Sequence, residues 1–277
     1  MCLTCGEHVT ERLWYLEPEK HRIRSLGLLR DMIGNNIDTV VIAGLHLIRR
    51  RQPYGPDRLG RVSQGLLDWF AKTVHGTQVL PDVDSAFQVI DRATELALVP
   101  CPCRQVIAPD LPPAWKCIGL NIAARVYFRH EARNPVRAIS KEEARNLVSE
   151  WRGRGAFQSA GWLWAANVIW LCNCDEYCGT HRAHELTWGM VPSIVVSRLV
   201  QPALCQGCQE CLRWCLRPGA LTMGQDNRVH VDEALCRGCG LCIEHCPEGA
   251  LGFVPREVFY DVLTRSVRPV PGGVVQL

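Results

Sequence analysis

Eight of the chain's 16 cysteines fall into two copies of one pattern. The first is Cys205-x2-Cys208-x2-Cys211-x3-Cys215, and the second is Cys236-x2-Cys239-x2-Cys242-x3-Cys246, followed by Pro247. Related phrases close the two runs, Arg-Pro-Gly-Ala-Leu ending at Leu221 and Pro-Glu-Gly-Ala-Leu ending at Leu251. This spacing suits iron–sulfur cubanes, which need four thiolates at their iron corners. Two-residue gaps let a tight loop aim three cysteines at one cluster, while the fourth, carried down a short helix, reaches the other. On that logic Cys205, Cys208, Cys211 and Cys246 hold one [4Fe–4S] cluster, and Cys236, Cys239, Cys242 and Cys215 hold a second. Gly207 and Gly238 fit loops in which backbone amides approach the sulfides and help set the potential. A zinc-ribbon-like pair would need its ligands in separated pairs rather than in two runs of four.

Over roughly residues 201–255 the chain resembles bacterial-type two-cluster ferredoxins. That resemblance implies an α+β fold with pseudo-two-fold symmetry, with strands expected at 220–223 and 228–231 joined by a turn at 224–227. One departure stands out: Leu216 and Arg217 separate Cys215 from Pro218, so the proline usually beside the fourth cysteine is displaced.

Eight cysteines lie upstream: Cys2, Cys5, Cys101, Cys103, Cys117, Cys172, Cys174 and Cys178. Two close-spaced pairs, Cys101-Pro-Cys103 and Cys172-Asn-Cys174, each follow an apolar stretch. Such a pair can ligate neighbouring irons or a single metal ion. The expected arrangement is at least one further [4Fe–4S] cluster, held by four of Cys101, Cys103, Cys117, Cys172, Cys174 and Cys178; a zinc site and redox-active thiols are the other readings. Cys2 and Cys5, with His8, form Cys-x2-Cys-x2-His and could complete a further site or remain unbound thiols. His181 and His184 near Cys178 are additional candidate ligands, and Asp175 and Glu176 candidate acid–base groups. The order Cys-x-Cys-Arg, a further cysteine, a Ser-Lys-Glu-Glu-Ala helix and Cys-Asn-Cys ahead of a ferredoxin module resembles a family of bacterial and archaeal 4Fe–4S-binding proteins. Ala123 and Ala124 stand where such proteins commonly carry another cysteine, and Asp175-Glu176-Tyr177 where their cysteine run is denser.

The elements that must position these residues follow from periodicity and breakers. Residues 84–98 carry apolar side chains near helical spacing and end at Pro100. Ser140 with Glu143 reads as a capping box, opening a helix whose Ala144, Leu147, Val148 and Trp151 face inward. The apolar runs 161–172 and 37–48 are shorter than the roughly 20 residues a bilayer span needs, so they read as core elements. Residues 39–48 suit a strand or buried helix and 66–74 a short amphipathic helix, with Arg49 to Arg51 opening a surface loop. A short helix is expected at 258–263 before a loose terminus. The fold class expected is α+β, a ferredoxin-like dicluster module after a larger mixed α/β cysteine-rich domain. Four regions are expected: 1–80 of unknown role, 81–197 cysteine-rich, 198–256 ferredoxin and 257–277 a tail.

A net charge of +3 over 277 residues gives no argument for a nucleic-acid partner. The N-terminus lacks a basic stretch leading into an apolar run, so the cysteines are expected as metal-bound thiolates in a reducing, cytoplasmic setting rather than as disulfides. No dinucleotide-binding Gly-x-Gly-x-x-Gly, P-loop, Cys-x3-Cys-x2-Cys or Gly-x-Ser-x-Gly signature is present. The expected function is single-electron transfer between redox protein partners. The alternatives are an oxidoreductase subunit whose upstream centre has an open site for a small substrate, and a ferredoxin tied to a zinc-stabilised docking domain.

Overall fold

The computed structural model describes residues 14–21, 75–129, 135–163, 167–176, 190–191, 193–261 and 266–269. The elements expected at 39–48 and 66–74, and Cys2, Cys5, His8, Cys178, His181 and His184, lie outside them.

The larger assembly is a seven-stranded sheet in the order β4-β2-β3-β6-β5-β1-β7. Its strands are β1 (His75–Val79), β2 (Leu96–Pro100), β3 (Trp115–Leu120), β4 (Arg137–Ala138), β5 (Phe157–Leu163), β6 (Asn167–Cys174) and β7 (Met190–Val191). Neighbouring strands run antiparallel except β1 and β7, which are parallel. The apolar run 161–172 thus divides between two strands, paired from Phe157↔Cys174 to Leu163↔Asn167.

Strand side chains alternate between faces, and the two faces of this sheet have different tasks. Ile118, Leu120, Ala160, Trp162 and Leu171 form the main core with Val89 and Ile90 of α1 (Val83–Arg92) and Ala144 and Val148 of α4 (Lys141–Gly153). Cys117, Cys172, Cys174, Ser159 and Phe157 alternate with these residues and point to the other face. Two shorter helices, α2 (Pro102–Ile107) and α3 (Ile122–Arg129), follow β2 and β3.

Both long helices begin on side-chain caps. Asp82 Oδ1 accepts from the Ser85 amide at 2.7 Å, and Ser140 Oγ accepts from the Glu143 amide at 3.0 Å. The Glu143 carboxylate pairs with Arg137 of β4. The helix expected across 84–98 stops at Arg92. Ala93 turns extended at φ −69° and ψ 141°, and Leu96 to Val99, all buried, form β2 between β3 and β4. A strand covered on both faces has no polar alternation, which is why it read as a continuation of the helix.

Residues 193–255 make a smaller assembly of two two-stranded antiparallel sheets and two short helices. Strand β8 (Val195–Leu199) pairs antiparallel with β11 (Leu251–Pro255), and β9 (Leu221–Met223) with β10 (Val229–Val231). Helices α5 (Glu210–Arg213) and α6 (Leu241–Glu244) fall at equivalent places in the two cysteine runs. The helix expected at 258–263 is instead a strand over its first four residues: β12 (Val258–Asp261) pairs with β13 (Ser266–Pro269). Val258, Phe259 and Tyr260 are β-branched or aromatic and favour extended backbone. Among the described residues no helix is long and apolar enough to cross a membrane.

Gly76 sits directly opposite Trp162 in the β1–β5 ladder, and a Cβ there would lie 2.2 Å from the indole. Gly76→Ala is expected to destabilise the fold by about 1–3 kcal/mol through overpacking. Gly153→Ala, at a helical position with open space around it, should be neutral or raise stability by up to about 1 kcal/mol. Denaturant unfolding of the two variants checks both.

Candidate metal centres

The two cysteine runs of the smaller assembly enclose two cavities. One, with about 350 Å³ of open space, is lined by Cys205, Cys208, Cys211 and Cys246, together with Met223, Val229 and Leu251. The other, with about 380 Å³, is lined by Cys215, Cys236, Cys239 and Cys242, with Phe157, Leu216 and Leu221. Each run therefore contributes its first three cysteines to one cavity and its fourth to the other.

Local backbone explains how three thiols converge. Gly207 and Gly238 occupy the same place in each run, at φ +70° and +67°. A Cβ on Gly238 would lie 2.0 Å from the Val195 carbonyl oxygen, and one on Gly207 would lie 2.5 Å from Asn227. Neither loop can close around a side chain there. Amides point at sulfur as a result: Gly238 N–H donates to Cys236 Sγ at 3.4 Å and Ala250 N–H to Cys246 Sγ at 3.3 Å. The extra residue after Cys215 has a defined place. Leu216 lines the second cavity as Pro247 lines the first, and it packs into the apolar seam described below.

Crowding of thiols in a dry interior is visible in their acidity. Burial, then repulsion from Cys246, Cys208 and Cys205, pushes Cys211 up to about 11. Burial pushes Cys215 up to about 12, with Cys239 and Cys236 adding to it against a backbone hydrogen bond that lowers it. Cys239 and Cys242 are raised by burial as well. These groups favour a bound cation or a proton, and a metal centre supplies the cation.

Five of the six upstream candidates also gather. Cys117 on β3 lies opposite Cys172 on β6, and its thiol hydrogen-bonds with Cys101 and Cys172. Those bonds and full burial raise its pKa well above the usual range. Cys172 belongs in addition to an apolar cluster with Cys174 and Cys103, and Ser159 Oγ lies 3.8 Å from Cys174 Sγ. None of the 13 described cysteines is in a disulfide. Among the described residues no group of three or more His, Cys, Asp or Glu side chains is set to hold a single metal ion.

The same apolar cluster joins the two assemblies. Phe157, Cys174, Val79 and Leu241 are its buried members, and Cys103, Cys172, Cys239, Trp214 and Leu216 pack against them. Arg152 at the end of α4 bolts this seam. Its guanidinium donates to both Glu244 carboxylate oxygens at 2.8 and 2.6 Å, to the Cys239 carbonyl at 2.8 Å and to Gln158 at 3.1 Å. Sequence reasoning missed Arg152, although Ala144, Val148 and Arg152 recur at four-residue spacing and so share the inward face. It missed Arg256 too, which is buried and donates to the carbonyls of Ser193, Glu233, Val195 and Cys236. Asp175 forms ion pairs with the fully buried Lys116 at 2.6 Å and with Arg104 at 3.7 Å.

Residues 228–251, which contain Cys236, Cys239, Cys242 and Cys246, match the family model of a 4Fe–4S binding domain. The chain carries an iron–sulfur module. No curated protein and no solved structure matches the chain.

Replacing Arg256 by Met would strand four backbone carbonyls around the Cys236 loop. Loss of charged hydrogen bonds and of that satisfaction is expected to cost about 3 kcal/mol or more, read as a lower thermal midpoint of the iron-loaded protein.

Proposed function

We propose that the chain is an electron-transfer protein built on a two-cluster ferredoxin module with a third iron–sulfur centre beside it. Cys205, Cys208, Cys211 and Cys246 hold the outer cluster, and Cys215, Cys236, Cys239 and Cys242 the inner one. The observation that carries this reading is the pair of cavities lined by these two interleaved sets of four thiols. Each donor set is all sulfur, which suits iron–sulfur chemistry. The third centre draws its ligands from Cys101, Cys103, Cys117, Cys172 and Cys174, with Cys178, Cys2 and Cys5 as further donors outside the described residues.

Bound clusters supply reversible one-electron chemistry. The chain's own residues do the rest. Glycine-shaped loops bring amides to the sulfurs, and apolar walls keep water from one side of each site. The seam of Phe157, Cys174 and Leu216 packs upstream Cys103 and Cys172 in the same apolar cluster as Cys239. One electron arrives from a reduced one-electron carrier and one leaves to an acceptor, and no bond forms or breaks.

Two alternatives remain distinct. An oxidoreductase subunit with an open upstream site is favoured by the charged Lys116–Asp175–Arg104 group at the end of β6. A single-ion zinc centre would draw on the same upstream cysteines, and metal analysis separates it from an iron–sulfur centre.

The interleaving can be tested with crossed variants. Cys215→Ala lies in the first run but should perturb the same EPR signal as Cys239→Ala; Cys246→Ala should perturb the signal of Cys208→Ala. Pairing of Cys215 with Cys208 instead would show that each run fills its own cluster. Cys174→Ala is expected to lower iron by about four per chain while both ferredoxin signals persist.

A further inference from the structure

We infer that this chain biases an added electron toward the inner ferredoxin site, so that of the two repeat sites the inner one is reduced first. The inference rests on the two-cluster reading above.

The two cavities are related by the repeat, yet the charges around them differ. Arg217 and Arg237 stand in the wall of the inner cavity. Two more arginines are buried against its ligand loop: Arg152 donates to the Cys239 carbonyl at 2.8 Å and Arg256 to the Cys236 carbonyl at 2.7 Å. Ser197 Oγ lies 3.3 Å from Cys242 Sγ, a hydroxyl that can turn its proton toward a thiolate. The outer cavity has no arginine or lysine in its wall among the described residues, and Glu248 is its one charged side chain besides the thiols. Cys208, Gln209 and Pro247 around it are exposed.

An added electron is an added negative charge. Fixed cations in a dry interior are screened far less than charges facing water, and donors to the cluster sulfurs raise the potential. Two effects oppose this. Water at the outer site also stabilises added charge, and Glu244 offsets Arg152. The Glu244 side chain is 37% exposed against 6% for Arg152, so solvent weakens the anion's share more than the cation's. Glu233 approaches through its carbonyl, while its carboxylate is engaged by Arg198. Four cations and a hydroxyl at one site, against a lone carboxylate at the other, outweigh the hydration difference. The electron's source is a reduced one-electron carrier protein, replaced in the test by dithionite.

The test is an EPR-monitored redox titration of the iron-loaded full chain. Cys208→Ser and Cys239→Ser assign the signals, since serine retains an oxygen donor while shifting the spectrum of its own site. The inner signal should appear first on reduction. Arg152→Met and Arg237→Gln should each disfavour reduction of the inner site about tenfold, equivalent to about 59 mV for a one-electron couple, and leave the outer midpoint in place. Should Arg152→Met fail to fold, Arg237→Gln, on a half-buried side chain, still decides the matter. An outer signal appearing first, or arginine variants that leave the inner midpoint unmoved, would overturn the inference while sparing the two-cluster reading. A single signal in the wild-type chain would overturn both.

Discussion

Gathering thiols in a water-poor interior is the constraint on which the rest of this structure depends. Each thiolate placed beside another is opposed by burial and by its neighbour's charge, which raise the pKa values of Cys211, Cys215, Cys239 and Cys242, while hydrogen bonds with Cys101 and Cys172, then burial, raise that of Cys117. Left alone, such groups stay protonated. A cluster's positive irons reverse the balance, so loading of the sites and ordering of the loops are one linked equilibrium. Left-handed glycines, amides aimed at sulfur and the β3–β6 register that sets Cys117 opposite Cys172 serve that single requirement.

The second requirement is that the sites be adjacent, and here the sheet and the repeat cooperate. Period-2 alternation sends the aliphatic residues of β3, β5 and β6 to helices α1 and α4 and leaves cysteines on the opposite face. The seam around Phe157 then joins that face to the loop that carries Cys239. Arg152 makes the junction specific, because one buried guanidinium satisfies a carboxylate, a carbonyl and a glutamine on three separate elements. Gly240 belongs to the same junction. Its φ of +75° is matched in the first run by Gln209 at +63°, but only at Gly240 does the Pro81 carbonyl come within 2.4 Å of a would-be Cβ.

Much of this was legible in the chain. The spacing of the two cysteine runs anticipated which thiols share a cavity, and the hairpin around residues 224–227 was expected from the family resemblance. The Ser140 cap was equally readable. What stayed hidden had physical causes. Strand β2 is buried on both faces and carries no alternation, so Leu96 to Pro100 looked like the end of a helix. Strand β12 was misjudged because the run Val258-Phe259-Tyr260, three apolar residues before Asp261, fits either element. Arg152, Arg256 and Lys116 went unremarked, since burial of a cation depends on partners far away in sequence. The role of Leu216 surfaced only once the neighbouring sheet was in place to cover it.

The central claim is that three iron–sulfur centres lie in one chain, two in the repeat and one against the sheet. Iron, acid-labile sulfide and zinc per chain, measured on anaerobically purified protein, test it most directly. Three cubanes require about twelve irons and as many sulfides, without zinc. About eight irons, or eight with one zinc, would contradict the upstream centre, and about four would contradict the interleaved pair as well.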